Sequence, residues 1–327
     1  MMNLEELVRF LLDFEGISRK FVLPNIINKL RRDSYGGDIS HSLGEDSAAI
    51  GTDCDDFVLL TTDAIVEDLC LNEPHAAGFN VVLANVMDIY AAGGVPNSFA
   101  VALSYSDPHI GEMMLQGLID ASHSFRVPIV RGHTNPASTS TYVVGSSTGS
   151  VLKEELLTAG GALPNDSLVL LFDKVGNRGR AYKLGWDSVT GCESSVIVER
   201  LSVMNDLAHK QLLNASKDVS VAGLVGTAGM LVEYSGMGGV IDIDAVETSR
   251  PKSIPLNDWL RMYISLGFLV SVSHANISAV RKVAEDHAMT MTEVGMVDNS
   301  TSLRLRRGSE EVIMFDFSKG PILTPRS

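Results

Sequence analysis

Four aspartates stand beside or inside apolar, small-residue segments, and no other feature restricts the fold of this chain as strongly. They are Asp46 in GEDSAAI, Asp63 closing FVLLTTD, Asp88 in NVMDIYAAGG and Asp218 in KDVSVAGL. A carboxylate in such surroundings is costly unless something neutralises it. Four that converge repel one another, and a hard divalent cation is the usual remedy. The pattern therefore points to a Mg²⁺ cluster holding a polyphosphate, ATP. GxxxxGK[ST] is absent, which excludes a P-loop, and so is GxGxxG, which removes the main argument for a Rossmann dinucleotide site.

Bulk properties narrow the class further. At 327 residues two domains are the default expectation. A formal charge of −14 repels nucleic-acid phosphates, and the densest basic cluster, Arg304, Arg306 and Arg307, is followed closely by Glu310 and Glu311. No nucleic-acid partner is expected. Cys54, Cys70 and Cys192 are widely spaced, with no CxxC, HEXXH or His-x-His, so zinc is not expected. Glu5, Glu6 and Arg9 interrupt the stretch that a signal peptide would need, and no run reaches membrane-span length. The expectation is a cytoplasmic protein without a membrane partner.

Apolar spacing predicts an amphipathic helix over 3–13 and a second around 22–31. A polar, Gly-containing loop follows over 31–46, mobile on its composition. Strands are expected at 57–62, 98–103, 127–131 and 141–151, with helices at 75–92 and 110–125 between them. The pattern resets at LTAGGALPNDSLVLLFD (157–173), where a Gly-Gly turn and Pro164 precede a new apolar strand. Helical stretches at 194–215, 221–235 and 276–287 then alternate with strands at 239–244, 267–272, 290–296 and 311–316. The fold class is α+β or α/β. Residues 1–154 are taken as an N-terminal ATP- and metal-binding, dimerising domain and 155–327 as a C-terminal α/β domain.

Each motif has a bland reading beside its chemical one. Asp46 and Asp63 can be caps, since aspartate is a favoured capping residue, or carboxylates meeting at a cleft. Asn85 and Asp88 are three apart and share one face of a helix that is apolar nearly all round. Two polar groups there need partners, whether a core hydrogen-bond network or a metal–nucleotide site. In VPIVRGHTNP a strand runs into Gly132, His133 and Thr134, a place suited to phosphate approach; a lone His is also commonly structural. Asp218 and Ser220 precede a Gly/Ala-rich helix whose amides could face an anion or simply pack tightly.

Taken in order, GEDSAAI, TTD, NVMDIYAAGG, GHT, KDVSVAGL with VEYSGMGGVIDID, and GFLVSV resemble the aminoimidazole ribonucleotide synthetase superfamily over about residues 40–298. Its members include selenophosphate synthetase, thiamine-monophosphate kinase and a hydrogenase maturation factor. KLGWDSV (183–189), GHTNP and KDVS are most similar to an uncharacterised synthase-related branch that includes methanogenesis marker 2. The resemblance implies a two-domain fold whose N-terminal sheets pair across a homodimer, with ATP in the cleft between domains. It implies Asp46, Asp63, Asp88 and Asp218 as metal ligands, Gly132 and Thr134 on the phosphate side, and the loop before Asp46 as a segment closing over the nucleotide.

Departures are equally specific. The first cysteine is Cys54, far from the N-terminus, which disfavours selenium chemistry. Thiamine-monophosphate kinase would carry an acidic residue at His133 and Ser-Asp-Gly in place of Ser220-Val221-Ala222. No cysteine follows Arg326, as the hydrogenase role would require. The reading is a Mg²⁺-dependent, ATP-using enzyme that phosphorylates or activates an oxygen of a small-molecule acceptor. Candidate catalytic residues are Asp63, Asp88 and His133, and candidate nucleotide contacts are Asp46, Asn85, Gly132, Thr134 and Ser220. The alternatives are a thiamine-monophosphate kinase-like kinase and a non-catalytic nucleotide-binding regulatory or maturation protein.

Overall fold

A computed structural model describes residues 2–35 and 42–324. The segment expected to close over the nucleotide therefore falls partly outside the described residues, at 36–41, as does the stretch after Thr324. Three helices open the chain, α1 (Leu4–Leu12), α2 (Glu15–Ser18) and α3 (Leu23–Asp33). In α1 a capping box joins Asn3 and Glu6, and Leu4, Leu7, Val8 and Leu11 are buried.

The first sheet has the order β1-β2-β5-β3-β4. Its strands are β1 (Ala48–Gly51), β2 (Asp56–Ala64), β3 (Val95–Tyr105), β4 (Ile129–Pro136) and β5 (Tyr142–Leu152). All neighbours are antiparallel except β3 and β4, which α6 (Pro108–Phe125) connects. Helix α4 (Glu67–Asn72) leads into α5 (Pro74–Ala91), which lies across the sheet. Helices α5 and α6 touch backbone to backbone. A Cβ on Gly78 would sit 2.0 Å from the Met114 carbonyl oxygen, and one on Gly117 2.0 Å from that of His75. Only glycine allows that spacing.

The second sheet has the order β15-β14-β10-β13-β6-β12-β9. It is built from β6 (Ser167–Phe172), β9 (Ala215–Asp218), β10 (Gly238–Asp242), β12 (Gly267–Val272), β13 (Thr290–Asp298), β14 (Ser302–Arg307) and β15 (Glu310–Asp316). A small sheet joins β7 (Asn177–Arg178), β8 (Gly185–Asp187) and β11 (Tyr263–Ile264). The helices of this half are α7 (Ser194–Leu201), α8 (Val203–His209), α9 (Gly223–Tyr234), α10 (Ile243–Ser249), α11 (Leu256–Trp259) and α12 (Ile277–Asp286). The chain is thus a mixed α/β molecule with two sheet-based halves.

Strand periodicity divides the interior. Val169 and Leu171 of β6 join a core containing α5, α6, α7 and α8, whereas Leu168, Leu170 and Phe172 join a second core around α9. The first core spans both halves. The second takes in Leu4, Leu7, Val8, Leu11 and Ile17, so the N-terminal arm, counted with the first half on sequence, packs on the second sheet.

Several boundaries differ from the spacing-based expectation. The helix expected over 194–215 ends at His209; Gln211 takes φ +52°, which stops the turn, and β9 begins at Ala215. Residues 243–249 form α10 because the Asp242 carboxylate accepts from the amides of Asp244 and Ala245. Strands β1, β7, β8 and β11 carry too few residues to show a period; β14 alternates over SLRLRR but is absent from the expected strands. Most of the Arg cluster is neutralised: Arg304 pairs with Asp298 and Glu311 and Arg306 with Asp242, while Arg307 donates to the Met2 carbonyl. Among the described residues no helix is long and apolar enough to cross a membrane.

Candidate functional site

Three separate segments deliver carboxylates to one point where the halves meet. Asp46 lies just before β1, Asp88 in the last turn of α5, and Asp218 at the end of β9, which contacts α5. Each offers an oxygen within 4.8 Å of the others. Asp63, near the end of β2, is in hydrogen-bond contact with Asp88, and its Oδ2 is buried with no hydrogen-bond partner among the described residues. At this spacing and an effective dielectric of 20, two like charges repel by roughly 3–4 kcal/mol. Three such pairs approach about 10 kcal/mol, the scale of a whole domain's stability, so the cluster needs protons, cations or both.

The electrostatics carry that signature. Burial, followed by the charges of Asp63, Asp218 and Asp46, pushes the Asp88 carboxyl well above the carboxylate range. Burial and then Asp46 push Asp218 up to about 8, with Lys217 opposing. The Lys217 ammonium bonds the Asp46 carboxylate, and both side chains are nearly buried. Burial alone would lower its pKa, yet Asp46, Asp218 and Glu45 hold it above the ordinary lysine value. Half-buried Lys20 also senses Asp218 and Asp63, but burial, then Arg19 and Lys217, draw its pKa down. An all-carboxylate donor set with an unsatisfied oxygen suits a hard cation such as Mg²⁺.

A pH signature follows for the metal-free protein. The folded pKa of Asp218 is raised, so its contribution to stability is fully present below the unfolded value of about 3.9 and is lost as pH rises through about 8. Asp88 shifts in the same direction. In excess chelator, the Tm of wild type should therefore fall relative to Asp218→Asn as pH rises from about 4 to 8. A difference that stays flat across that window would mean that Asp218 is not buried among charges.

Two cavities open nearby, and Asp46 is the one cluster carboxylate that lines either of them. One, of about 330 Å³, is lined by Glu45, Asp46, Phe57, Ala91, Thr158, Ser216 and Tyr234. Glu45 accepts from the Ala159 amide at 2.8 Å, and burial raises its pKa. The other, of about 520 Å³, is bounded by α5, α6 and the KLGWDSV region, including Phe79, Asp120, Tyr182, Trp186 and Asp187, and reaches Tyr263. The Tyr263 hydroxyl is buried with no hydrogen-bond partner among the described residues. Burial, then the charges of Asp218, Asp63 and Asp88, push its pKa well up.

Other sequence candidates lie elsewhere. The Asn85 oxygen accepts from the Thr61 hydroxyl at 2.6 Å, and its NH₂ donates to the Val81 carbonyl at 2.8 Å. That is the core-network alternative for Asn85. Gly132, His133 and Thr134 do not leave the strand as expected, because the pairing of β4 with β3 runs on to Pro136. All eight β4 residues are exposed on the sheet edge. Gly132 is level with Asp63 through Val101 and Gly145, three strand spacings away, or about 14 Å. A single chain therefore does not bring His133 to the carboxylates. Ser220 stands half-buried in the turn before α9, which begins at Gly223 rather than directly after Asp218. Sequence reasoning missed Lys217, Glu45, Lys20 and Tyr263. The first two adjoin quoted aspartates and could have been weighed; Tyr263 sits in no motif.

Comparison with known proteins bears on this geometry. Residues 44–151 match the N-terminal domain of AIR synthase-related proteins, and residues 177–308 match their C-terminal domain. An uncharacterized protein of Methanocaldococcus jannaschii is 32% identical over 97% of this chain and 98% of its own. The thiamine-monophosphate kinase of Pyrococcus abyssi is 26% identical over 82% of this chain and 86% of its own. Among solved structures, T. maritima PurL complexed with ATP superposes with a TM-score of 0.69 at 17% identity, covering 82% of this chain and 45% of PurL. This chain thus spans about half the length of the PurL chains it matches. AaThiL complexed with AMPPCP and TMP gives a TM-score of 0.63 at 19% identity, covering 90% and 96%.

Proposed function

The chain belongs to the AIR synthase-related protein family, and from that premise we propose that it is a Mg²⁺-dependent enzyme that transfers phosphate from ATP to an oxygen of a small-molecule acceptor. The product is a phosphate ester or an activated acyl or amide oxygen that a nucleophile then displaces. The observation that carries this reading is the convergence of Asp46, Asp88 and Asp218 at the junction of the halves, with the unpartnered Asp63 oxygen beside them. Relatives support the class: one is a thiamine-monophosphate kinase, and PurL and AaThiL have been solved with ATP and AMPPCP.

Asp46, Asp63, Asp88 and Asp218 would hold Mg²⁺, which when bound supplies charge neutralisation for the phosphates. The rest of the work falls to this chain's own groups. The cavity beside Asp46 gives room for a nucleotide, and the one that reaches Tyr263 gives room for an acceptor. The Tyr263 hydroxyl, lacking a partner, is placed to donate to a phosphate or acceptor oxygen. Lys217 and, at longer range, Lys20 supply positive charge to the carboxylates, so positioning and electrostatics provide most of the acceleration. The thiamine-monophosphate kinase-like alternative shares the support of that relative and of AaThiL without being favoured over this reading, and the non-catalytic one has no specific observation in its favour. ADP or AMP release from ATP, measured with and without a small-molecule metabolite pool, tests the proposal. Absence of both products under all conditions counts against turnover.

We place the working enzyme in the cytoplasm as a homodimer. One face of the first sheet leaves Val58 37% and Leu60 39% exposed, and β4 is open along its whole length. Unpaired strand edges and apolar sheet faces are rarely left bare. Light scattering at micromolar concentration should return twice the chain mass of 35.1 kDa. A clean monomer would remove the dimer, and with it any route by which β4 and His133 could complete a neighbouring site.

A further inference from the structure

We propose that Lys217 is the resident counter-ion of the carboxylate cluster, and that its ammonium competes with a divalent cation for Asp46. The inference rests on reading the cluster as a metal site. Lys217 immediately precedes Asp218 on β9, the last strand of the second sheet. Both oxygens of Asp46 are engaged by this strand: Oδ1 by the Lys217 ammonium, and Oδ2 by the Asp218 amide at 3.2 Å. The Lys217 and Asp46 side chains are only 5% and 10% exposed. One strand end thus presents a candidate metal ligand, a backbone donor and a cation to the same carboxylate.

An ordinary buried ion pair is self-contained, and removing one partner only destabilises. This pair is not self-contained. Asp218 and Glu45 act on the Lys217 ammonium, and Asp88 lies within reach of Asp46 with Asp63 beside it, so carboxylates outnumber the nearby ammonium groups of Lys20 and Lys217. Lys217 relieves part of the repulsion and leaves room for further positive charge. A metal ion drawing on Asp46 must meet the ammonium already bound there. Losing Lys217 should therefore weaken the metal-free fold while improving metal binding, a pair of opposite effects that a purely structural salt bridge does not produce.

The experiment uses Mn²⁺ alone, without nucleotide, on the full chain. Its affinity is measured by calorimetry or by the EPR signal of free Mn²⁺, alongside the Tm in chelator. Lys217→Met is expected to lower the chelated Tm and to bind Mn²⁺ about tenfold tighter than wild type or better. In an Asp46→Asn background the same substitution should lose most of that gain, because the contested carboxylate is gone. Equal or weaker Mn²⁺ binding by Lys217→Met, or an undiminished gain in the Asp46→Asn background, overturns the assignment. If neither wild type nor Lys217→Met binds Mn²⁺, the metal reading fails and the counter-ion role falls with it. If Lys217→Met cannot be purified, Lys217→Arg carries the test with the sign reversed. Its forked guanidinium grips a carboxylate more firmly, so Mn²⁺ binding should weaken, and unchanged affinity refutes the proposal.

Discussion

Asp63→Asn or Asp88→Asn is expected to leave a folded metal-free protein whose ATP consumption has dropped by about two orders of magnitude or more. The two halves of that outcome have separate causes. Asp63 has a buried oxygen with no partner and a contact to Asp88, so an amide there can donate to the Asp88 carboxylate and the fold loses little. Asp88 is held protonated-leaning by burial and by three neighbouring carboxylates, so neutralising it removes repulsion and should raise metal-free stability. Turnover responds the other way. Mg²⁺ prefers anionic oxygen, and an amide is a poor replacement. Circular dichroism melts in chelator together with ADP or AMP release measure both halves. Wild-type turnover in either variant would make that aspartate structural and require the cluster to be redrawn. Unfolding of both variants would place them in a core network.

Much of this architecture was legible in the sequence because it is locally periodic. Apolar spacing finds α1, α5, α6 and α12, and the runs FVLLTT and GFLVSV fall within β2 and β12. The aspartates could be picked out because each breaks an apolar context, and Asp46, Asp88 and Asp218 do converge. What was not legible depends on contacts between distant segments. Nothing in LEELVRFLL says that α1 packs on the second sheet rather than the first. Asn85 and Asp88 look equivalent on one helix face, yet Thr61 of β2 claims Asn85 and leaves Asp88 to the cluster. Gly132 reads as a turn, but strand pairing with β3 keeps GHT extended and exposed. Lys217 carries no signal of its own in KDVSVAGL, because its partner Asp46 lies 171 positions away.

Metal dependence of nucleotide binding should be just as large an effect. Without a divalent cation, a triphosphate entering between the halves meets Asp46, Asp88 and Asp218 within 4.8 Å of one another, with Asp63 beside them. Lys217 is already committed to Asp46, and Lys20 alone cannot offset that field. On the proposed reading, Mg²⁺ or Mn²⁺ would turn the same carboxylates into the attachment point. Ligand at about 100 times its dissociation constant then adds roughly 2.7 kcal/mol of stability, which is a shift of several degrees for a chain of this size. The most direct measurement is the thermal shift on adding ATP to wild-type protein, once with excess Mg²⁺ and once with excess chelator. The account predicts a clear rise in Tm with Mg²⁺ and none with chelator. An equal rise in both would contradict it, because the nucleotide would then be held by something other than a metal on these four aspartates.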